Sequence, residues 1–140
     1  MVSKGNRRSV FWSIVRNQLW KYDWAVEVLE MLRIVHQPDK DVIAYVNDSY
    51  ELVLGDRWFE FAEKAIGSGY ADFTAGFILL HEVLHILFDH IRVGKNFVER
   101  FRKYGRVNEL WKALNIAADA IINEALIEIA KVRCEGAIYR

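Results

Sequence analysis

Apolar residues recur every three or four positions over most of the chain, which is the spacing of an amphipathic α-helix. This pattern predicts a mostly helical protein. Five segments carry it, at residues 9–22, 24–32, 58–66, 71–93 and 108–131. Asp23 stands directly before the second segment and is predicted to cap that helix.

Residues 33–47 depart from the helical pattern. Two short runs rich in β-branched and aromatic residues flank the turn-forming pair Pro38 and Asp39. This arrangement predicts a small β-hairpin, with residues 49–55 as a connector to the next helix. The alternative is that the preceding helix continues through Val35. The expected fold class is therefore mostly α, with enough strand to be α+β.

The clearest chemistry lies in the predicted helix 71–93, where His81, Glu82 and His85 form an HExxH motif. Residues four apart share one face of a helix, so both imidazoles can reach a single Zn²⁺ ion. Glu82 is rotated by about 100° from His81 and can reach a water on the metal, which is the position of a general base. The flanking residues are almost wholly apolar, where unpaired polar groups are costly. The motif therefore favours a metal site over a chance polar patch.

A third ligand is expected from the predicted helix 108–131, in which Asn115, Asp119 and Asn123 stand four residues apart. Asn and Asp are poor helix-interior residues because their short side chains compete for backbone hydrogen bonds. A line of three therefore indicates a face with a specific role. We predict that Asp119 completes the metal site and leaves a fourth position for water. Asn115 and Asn123 are expected to orient a ligand or to bond the backbone.

Three other residues compete with Asp119 for this role: His90, Asp89 and Glu124. Glu124 lies nearby on the same predicted helix and stays an alternative. His90 is five residues past His85, and on a continuous helix it points about 140° away. It can ligate only if the helix breaks, and no glycine lies between the two histidines to favour a break.

Asp89 shares the face of His85 but is unsuited to the same ion. On a continuous helix it lies two turns from His81, which is too far for both to bind one metal. We expect Asp89 to pair with Arg92 or to orient a neighbouring side chain.

Composition limits the classes of function and the location. A chain of 140 residues with 53% hydrophobic residues suits a single domain over residues 1–140. Its 19 basic residues balance 19 acidic ones, so neither nucleic acid nor a membrane surface is an expected partner. The basic and aromatic stretch 96–106 is more typical of a solvated segment than of a nucleic-acid site. The single cysteine, Cys134, and the lack of a signal-peptide pattern predict a cytoplasmic protein.

The two motif helices together resemble a known family. The sequence HEVLHILFDHIR, at residues 81–92, is followed by WKALNIAADAIINEAL at residues 111–126. This pair is similar to the metallopeptidase domain found at the N-terminus of von Willebrand factor A-like proteins, and the resemblance covers residues 42–126. The matched positions are His81, Glu82, His85, His90, Arg92, Asn115, Ala117, Asp119 and Asn123.

The resemblance implies a zincin-like fold and a zinc-dependent peptidase that acts on a peptide or protein substrate. In such an enzyme, Glu82 would take a proton from the metal-activated water and return it to the leaving amine. The resemblance also places His90 and Arg92 among the side chains that orient the ligands. The alternative function is a catalytically inactive, zinc-stabilised module that binds a protein partner through its aromatic residues.

Overall fold

The computed structural model describes residues 4–134, with side chains described over residues 6–128. Within this range the chain is mostly helical, at 69%, with a small three-stranded sheet. This confirms the predicted mostly α, α+β class. The elements in chain order are α1 (Lys4–Gln18), α2 (Asp23–Met31), β1 (Arg33–Gln37), β2 (Ala44–Val46), β3 (Glu51–Gly55), α3 (Asp56–Gly67), α4 (Thr74–Leu87), α5 (His90–Phe101), a 3₁₀ turn (Arg102–Tyr104) and α6 (Val107–Cys134).

The chain divides into two compact units, Met1–Val83 and Leu84–Arg140, and the boundary falls inside helix α4. The first unit contains α1 to α3, the sheet and most of α4. The second contains the last turn of α4, then α5 and α6. The single domain over residues 1–140 stays a prediction.

The core of the first unit is built around Trp58. Its side chain is fully buried, and its ring centroid lies 5.9 Å from that of Phe11 on α1. The indole N–H donates a hydrogen bond of 3.2 Å to the carbonyl of Ala75, at the start of α4. A buried indole needs such a partner, because an unpaired N–H in an apolar core is costly. Trp58 therefore links α3 with both α1 and the beginning of the motif helix.

Helix α4 is also held at its start by Gln18, the last residue of α1. The buried Gln18 amide donates to the carbonyl of Asp72 at 2.7 Å, and its oxygen accepts from the Gly76 N–H at 3.0 Å. A side chain at position 76 would clash, since its Cβ would lie 2.6 Å from the Gln18 oxygen. Next to these bonds, hydrogen bonds from Thr74 lower the pKa of the Asp72 carboxyl.

The strand order of the sheet is β1-β3-β2, with β3 in the centre. β1 pairs with β3 in parallel, and β2 pairs with β3 in antiparallel orientation. The two predicted runs do form strands, but the prediction that they pair with each other is wrong. The hairpin that exists joins β2 to β3. The alternative of a helix continuing through Val35 is also wrong, because α2 ends at Met31.

Residues 49–55, predicted as a connector, contain the central strand. Leu52, Val53 and Leu54 are all buried, at 0%, 4% and 1% exposure. Because such a run is apolar on both faces, it suits the middle of a sheet better than an edge. The predicted cap of α2 is likewise wrong. Asp23 is the first helical residue, and Tyr22 holds the cap position without a side-chain hydrogen bond.

In the second unit, α5 and α6 approach closely at Gly94. A Cβ at this position would lie 3.0 Å from the ring of Trp111 on α6. Val98, Ile122 and Leu126 are buried apolar residues of this unit. No single helix in the described part of the chain has the length and apolar character to cross a membrane. Helix α4 and helix α5 with its 3₁₀ turn form a bent pair, and they reach the required length and apolar character only when they are counted together.

Candidate metal centre

Helix α4 carries the whole HExxH motif and ends at Leu87, earlier than predicted. Asp89 has a left-handed backbone, with φ 57° and ψ 35°, and α5 begins at His90. The short polar side chain of Asp tolerates this conformation better than most residues do. The predicted continuous helix over residues 71–93 is therefore wrong, and the break occurs without a glycine.

The break brings His90 back against His85. The Nδ1 atoms of the two rings lie 3.1 Å apart, and the ring centroids are 5.3 Å apart. On the continuous helix expected from the sequence, these side chains would have pointed in different directions. The Asp89 carboxylate accepts a hydrogen bond of 2.6 Å from Arg92 Nε, so the predicted pairing of these two residues is confirmed. His90 therefore lies beside His85, which is a predicted metal ligand.

His85 also contacts the residue predicted as the third ligand. Its Nε2 atom lies 3.1 Å from Oδ1 of Asp119 on α6. His81 lies one turn before His85 on the same continuous helix, which fixes the spacing of the two imidazoles. One ligand atom from each of His81, His85 and Asp119 lies within 4.8 Å of the other two. These three residues can therefore hold a metal ion.

The donor set fits such an ion. Two imidazole nitrogens and one carboxylate oxygen are borderline and hard donors that suit a first-row divalent metal. The imidazoles are partly buried, and the Asp119 side chain is 53% exposed. A site that is open on one side leaves room for a further small ligand, whereas closed structural sites surround the metal with protein donors.

Glu82 lies beside the first ligand on α4 and is buried, with 9% exposure. In the described residues only one other polar side chain is buried, that of Gln18, which bonds the backbone around the start of α4. Burying a carboxylate is costly. Helix α4 therefore keeps a carboxylate out of bulk water directly next to His81, as the motif predicts for a general base.

The two ring nitrogens of His85 face different partners. Nε2 points to Asp119, and Nδ1 points to His90. Burial lowers the pKa of His90, and the negative charge of Asp119 partly offsets this effect. With Nε2 facing a carboxylate oxygen, His85 donates an N–H to Asp119 and can accept one from His90 through Nδ1. If a metal replaced the Nε2 proton, a neutral His90 could accept an N–H from His85 Nδ1, and His85 Nε2 would bind the metal. Partners of this kind fix the tautomer and the orientation of metal-binding histidines.

The other predicted residues do not join this group in the described part of the chain. Asn115 and Asn123 are exposed on α6 and show no hydrogen bond to the three candidate ligands there. Glu124 is also exposed, and the metal-binding group forms without it. Arg92 is 65% exposed and pairs with Asp89. The roles proposed for these residues stay predictions.

The resemblance placed His90 among the side chains that orient the ligands, but helical spacing did not predict its contact with His85. The local signal for the break is weak, because no glycine stands there and only the left-handed Asp89 marks it. Comparison with known protein families, with curated proteins and with solved structures finds no match to this chain. The family resemblance therefore rests on the two motifs, and the candidate site rests on the geometry described above.

Proposed function

We propose that this chain is a zinc-dependent hydrolase of peptide bonds, with His81, His85 and Asp119 as the metal ligands. The observation that carries the proposal is that donor atoms from two helices, 34 residues apart in sequence, lie within 4.8 Å of one another. Two histidines from HExxH with one carboxylate make a three-ligand set that leaves a fourth position open. The motif spacing and Glu82 favour peptide-bond hydrolysis among the reactions such a site supports.

The chain's own residues supply the remaining chemistry. When bound, Zn²⁺ supplies a Lewis acid that lowers the pKa of a water at the site. Glu82 accepts the proton of the attacking water and donates it to the leaving amine, so its carboxylate acts first as base and then as acid. His90 holds the imidazole of His85 in one orientation through the Nδ1 contact.

The first experiment measures metal content by mass spectrometry in the purified chain and in two variants. We expect about one zinc per chain in the native protein and a marked loss in Asp119→Ala. Glu128→Ala is the matched control, since it removes an exposed carboxylate of the same helix that does not belong to the candidate ligand group. Absence of zinc from the native chain, even after zinc is added, would contradict the proposal. Retention in Asp119→Ala would exclude this ligand set.

The second experiment tests the role of Glu82. Glu82→Gln keeps the size of the side chain but removes the base, so we expect zinc content to be retained and hydrolysis of a quenched fluorescent peptide mixture to fall by about 10²–10⁴-fold. The control is Glu128→Gln, which changes an exposed carboxylate on α6. Equal hydrolysis by the native chain and Glu82→Gln would exclude this residue as the base.

The second candidate function is a zinc-stabilised module that binds a protein partner. The observation in its favour is the apolar surface of the second unit, where Val93, Phe97 and Ile116 are 50%, 41% and 69% exposed. Exposed apolar side chains in this number are typical of interaction surfaces. A chain that binds zinc but shows no hydrolysis beyond that of Glu82→Gln would favour this function over the enzyme.

A further inference from the structure

A cavity of about 700 Å³ lies in the first unit, beside strand β1. Its walls include Arg7, Arg8, Phe11 and Trp12 from α1, together with Phe59 from α3. None of these residues belongs to the candidate metal centre. The volume is within the range of sites that hold small molecules or short peptide segments.

The cavity runs along the backbone edge of β1. Residues 32–36, five in succession, all line it. Successive side chains of a strand point to opposite faces, so a cavity that contacts all of them must follow the edge of the strand and not one face. In the described sheet, β1 pairs with β3 alone, and no strand lies on its other side. That edge therefore presents backbone N–H and C=O groups to the cavity.

The floor of the cavity is apolar. Phe11, Leu54 and Phe59 line it, at 2%, 1% and 7% exposure, and they belong to the core of the unit. Trp12 adds a half-buried ring that meets Phe11 edge to face, with centroids 4.9 Å apart. An apolar side chain entering from the strand edge would be removed from water against these rings.

The rim is mainly cationic. Arg7, Arg8 and Arg33 line the cavity with one carboxylate, that of Glu30. The Arg33 guanidinium already lies 3.4 Å from Glu51, so its charge is partly matched. Neither Arg7 nor Arg8 forms an ion pair with a residue in the described range. Guanidinium groups recognise carboxylates by paired hydrogen bonds, so the rim complements an acidic group.

We propose that the edge of β1 binds an extended peptide of a partner protein, one that carries acidic and apolar side chains together on the strand face that points toward α1. The peptide adds to the sheet as a fourth strand through main-chain hydrogen bonds. Its apolar side chains face Phe11 and Trp12, and its carboxylates face Arg7 and Arg8. This site is separate from the proposed hydrolase centre and does not depend on a bound metal.

The test uses a fluorescein-labelled heptapeptide, Asp-Thr-Glu-Thr-Val-Thr-Leu, with binding followed by fluorescence anisotropy. Its acidic and apolar side chains all lie on one face of an extended strand. We expect saturable binding that weakens by about tenfold or more in Arg8→Glu, since an attractive charge becomes repulsive. Arg16→Glu is the matched control, because Arg16 is exposed on the same helix but does not line this cavity. Its affinity should stay within about twofold of the native value. Circular dichroism checks that both variants fold.

Two modified peptides test the strand geometry. N-methylation of one alternate set of amides should abolish binding, and methylation of the other set should not, because only one set faces β1. A version with lysine at the acidic positions should bind at least about tenfold more weakly. The proposal is overturned by equal binding of both methylated peptides, by equal affinity in Arg8→Glu and Arg16→Glu, or by no saturation up to about 1 mM. A homodimer that Arg8→Glu dissociates would assign the edge to a second copy and likewise overturn it.

Discussion

The first unit holds most of the buried apolar residues in the described part of the chain, whereas the second unit buries few and exposes many. In the described residues, every buried apolar side chain belongs to the first unit except Leu84, Val98, Ile122 and Leu126. Helices α5 and α6 instead carry large apolar side chains at 37–69% exposure. These are Val93, Phe97, Ile116, Ile121 and Ile127.

This difference indicates two sources of stability. Burial of apolar surface contributes roughly 25 cal/mol per Å², so the first unit gains most of its free energy of folding from its core. The second unit buries less and gains less. A metal held by His85 at the end of α4 and Asp119 on α6 would join the start of this unit to the middle of its last helix. Metal binding should therefore contribute a larger share of stability there than in the first unit.

The largest effect is expected from Trp58→Ala. Because Trp58 is fully buried and bonds the backbone of α4, its loss should lower the free energy of unfolding by about 3–5 kcal/mol, with or without zinc. Urea denaturation followed by circular dichroism measures this change. Trp20→Ala, at a residue with 61% exposure, should change it by less than about 0.5 kcal/mol. Similar losses in both variants would contradict the position of the core.

Zinc is expected to stabilise the second unit selectively. With free zinc at about 100 times its dissociation constant, the amides of α6 should gain about 2.7 kcal/mol of protection against hydrogen exchange. Amides of α3 should change much less. Asp119→Ala should abolish the gain and Glu128→Ala should keep it. Equal protection of α3 and α6 would contradict the difference between the units.

The effect of His90→Ala should be smaller and confined to the metal. Removing the contact with His85 Nδ1 leaves the ligand less well oriented, so zinc affinity should fall by about 10–100-fold. Competition with a chromophoric chelator measures this affinity. The control is His36→Ala, which removes a histidine paired with Asp56 in the first unit. An unchanged zinc affinity in His90→Ala would show that the contact does not support the site.

The smallest expected effect is a gain of stability in the first unit. Gly67 ends α3 and is exposed, and a Cβ at this position would meet no other atom within 4 Å. Gly67→Ala should therefore stabilise the unit by up to about 0.5–1 kcal/mol. At Gly55, by contrast, a Cβ would lie 1.9 Å from the carbonyl oxygen of Val42, so Gly55→Ala should destabilise. Thermal unfolding of both variants would test the predicted gain of stability in Gly67→Ala and the predicted loss in Gly55→Ala.

Most helices of this protein could be predicted from the sequence because their signal is local and periodic, but α5 was not predicted as a separate helix. The residues of the sheet were only partly predicted. The runs around Pro38 form strands, but they pair with a third strand that has no alternating pattern. The sequence of the buried residues 52–54 is compatible with a connector as well as with a strand. A fully buried strand lacks the alternation of apolar and polar residues that identifies a half-buried one. The pairing depends on residues that are far apart along the chain.

The candidate site was likewise predicted from the sequence only in part. The grouping of His81, His85 and Asp119 was predicted, because helix geometry aligns the two histidines and the unusual Asp in α6 marks its partner. The resemblance placed His90 among the residues that orient the ligands, but helical spacing did not predict its contact with His85. It depends on a single left-handed residue, Asp89, whose conformation differs from the helical one by only a small local free energy.

By itself, the sequence determined most of the helical segments, the HExxH face and the carboxylate that meets it, since each follows from spacing within one helix or from a residue type that is poor in helix interiors. The order of the strands, the turn that brings His90 to His85, and the uneven burial of the two units were decided only in the tertiary structure. The reason is that these features depend on competition between packing arrangements with nearly equal local free energies, and contacts between distant residues select among them.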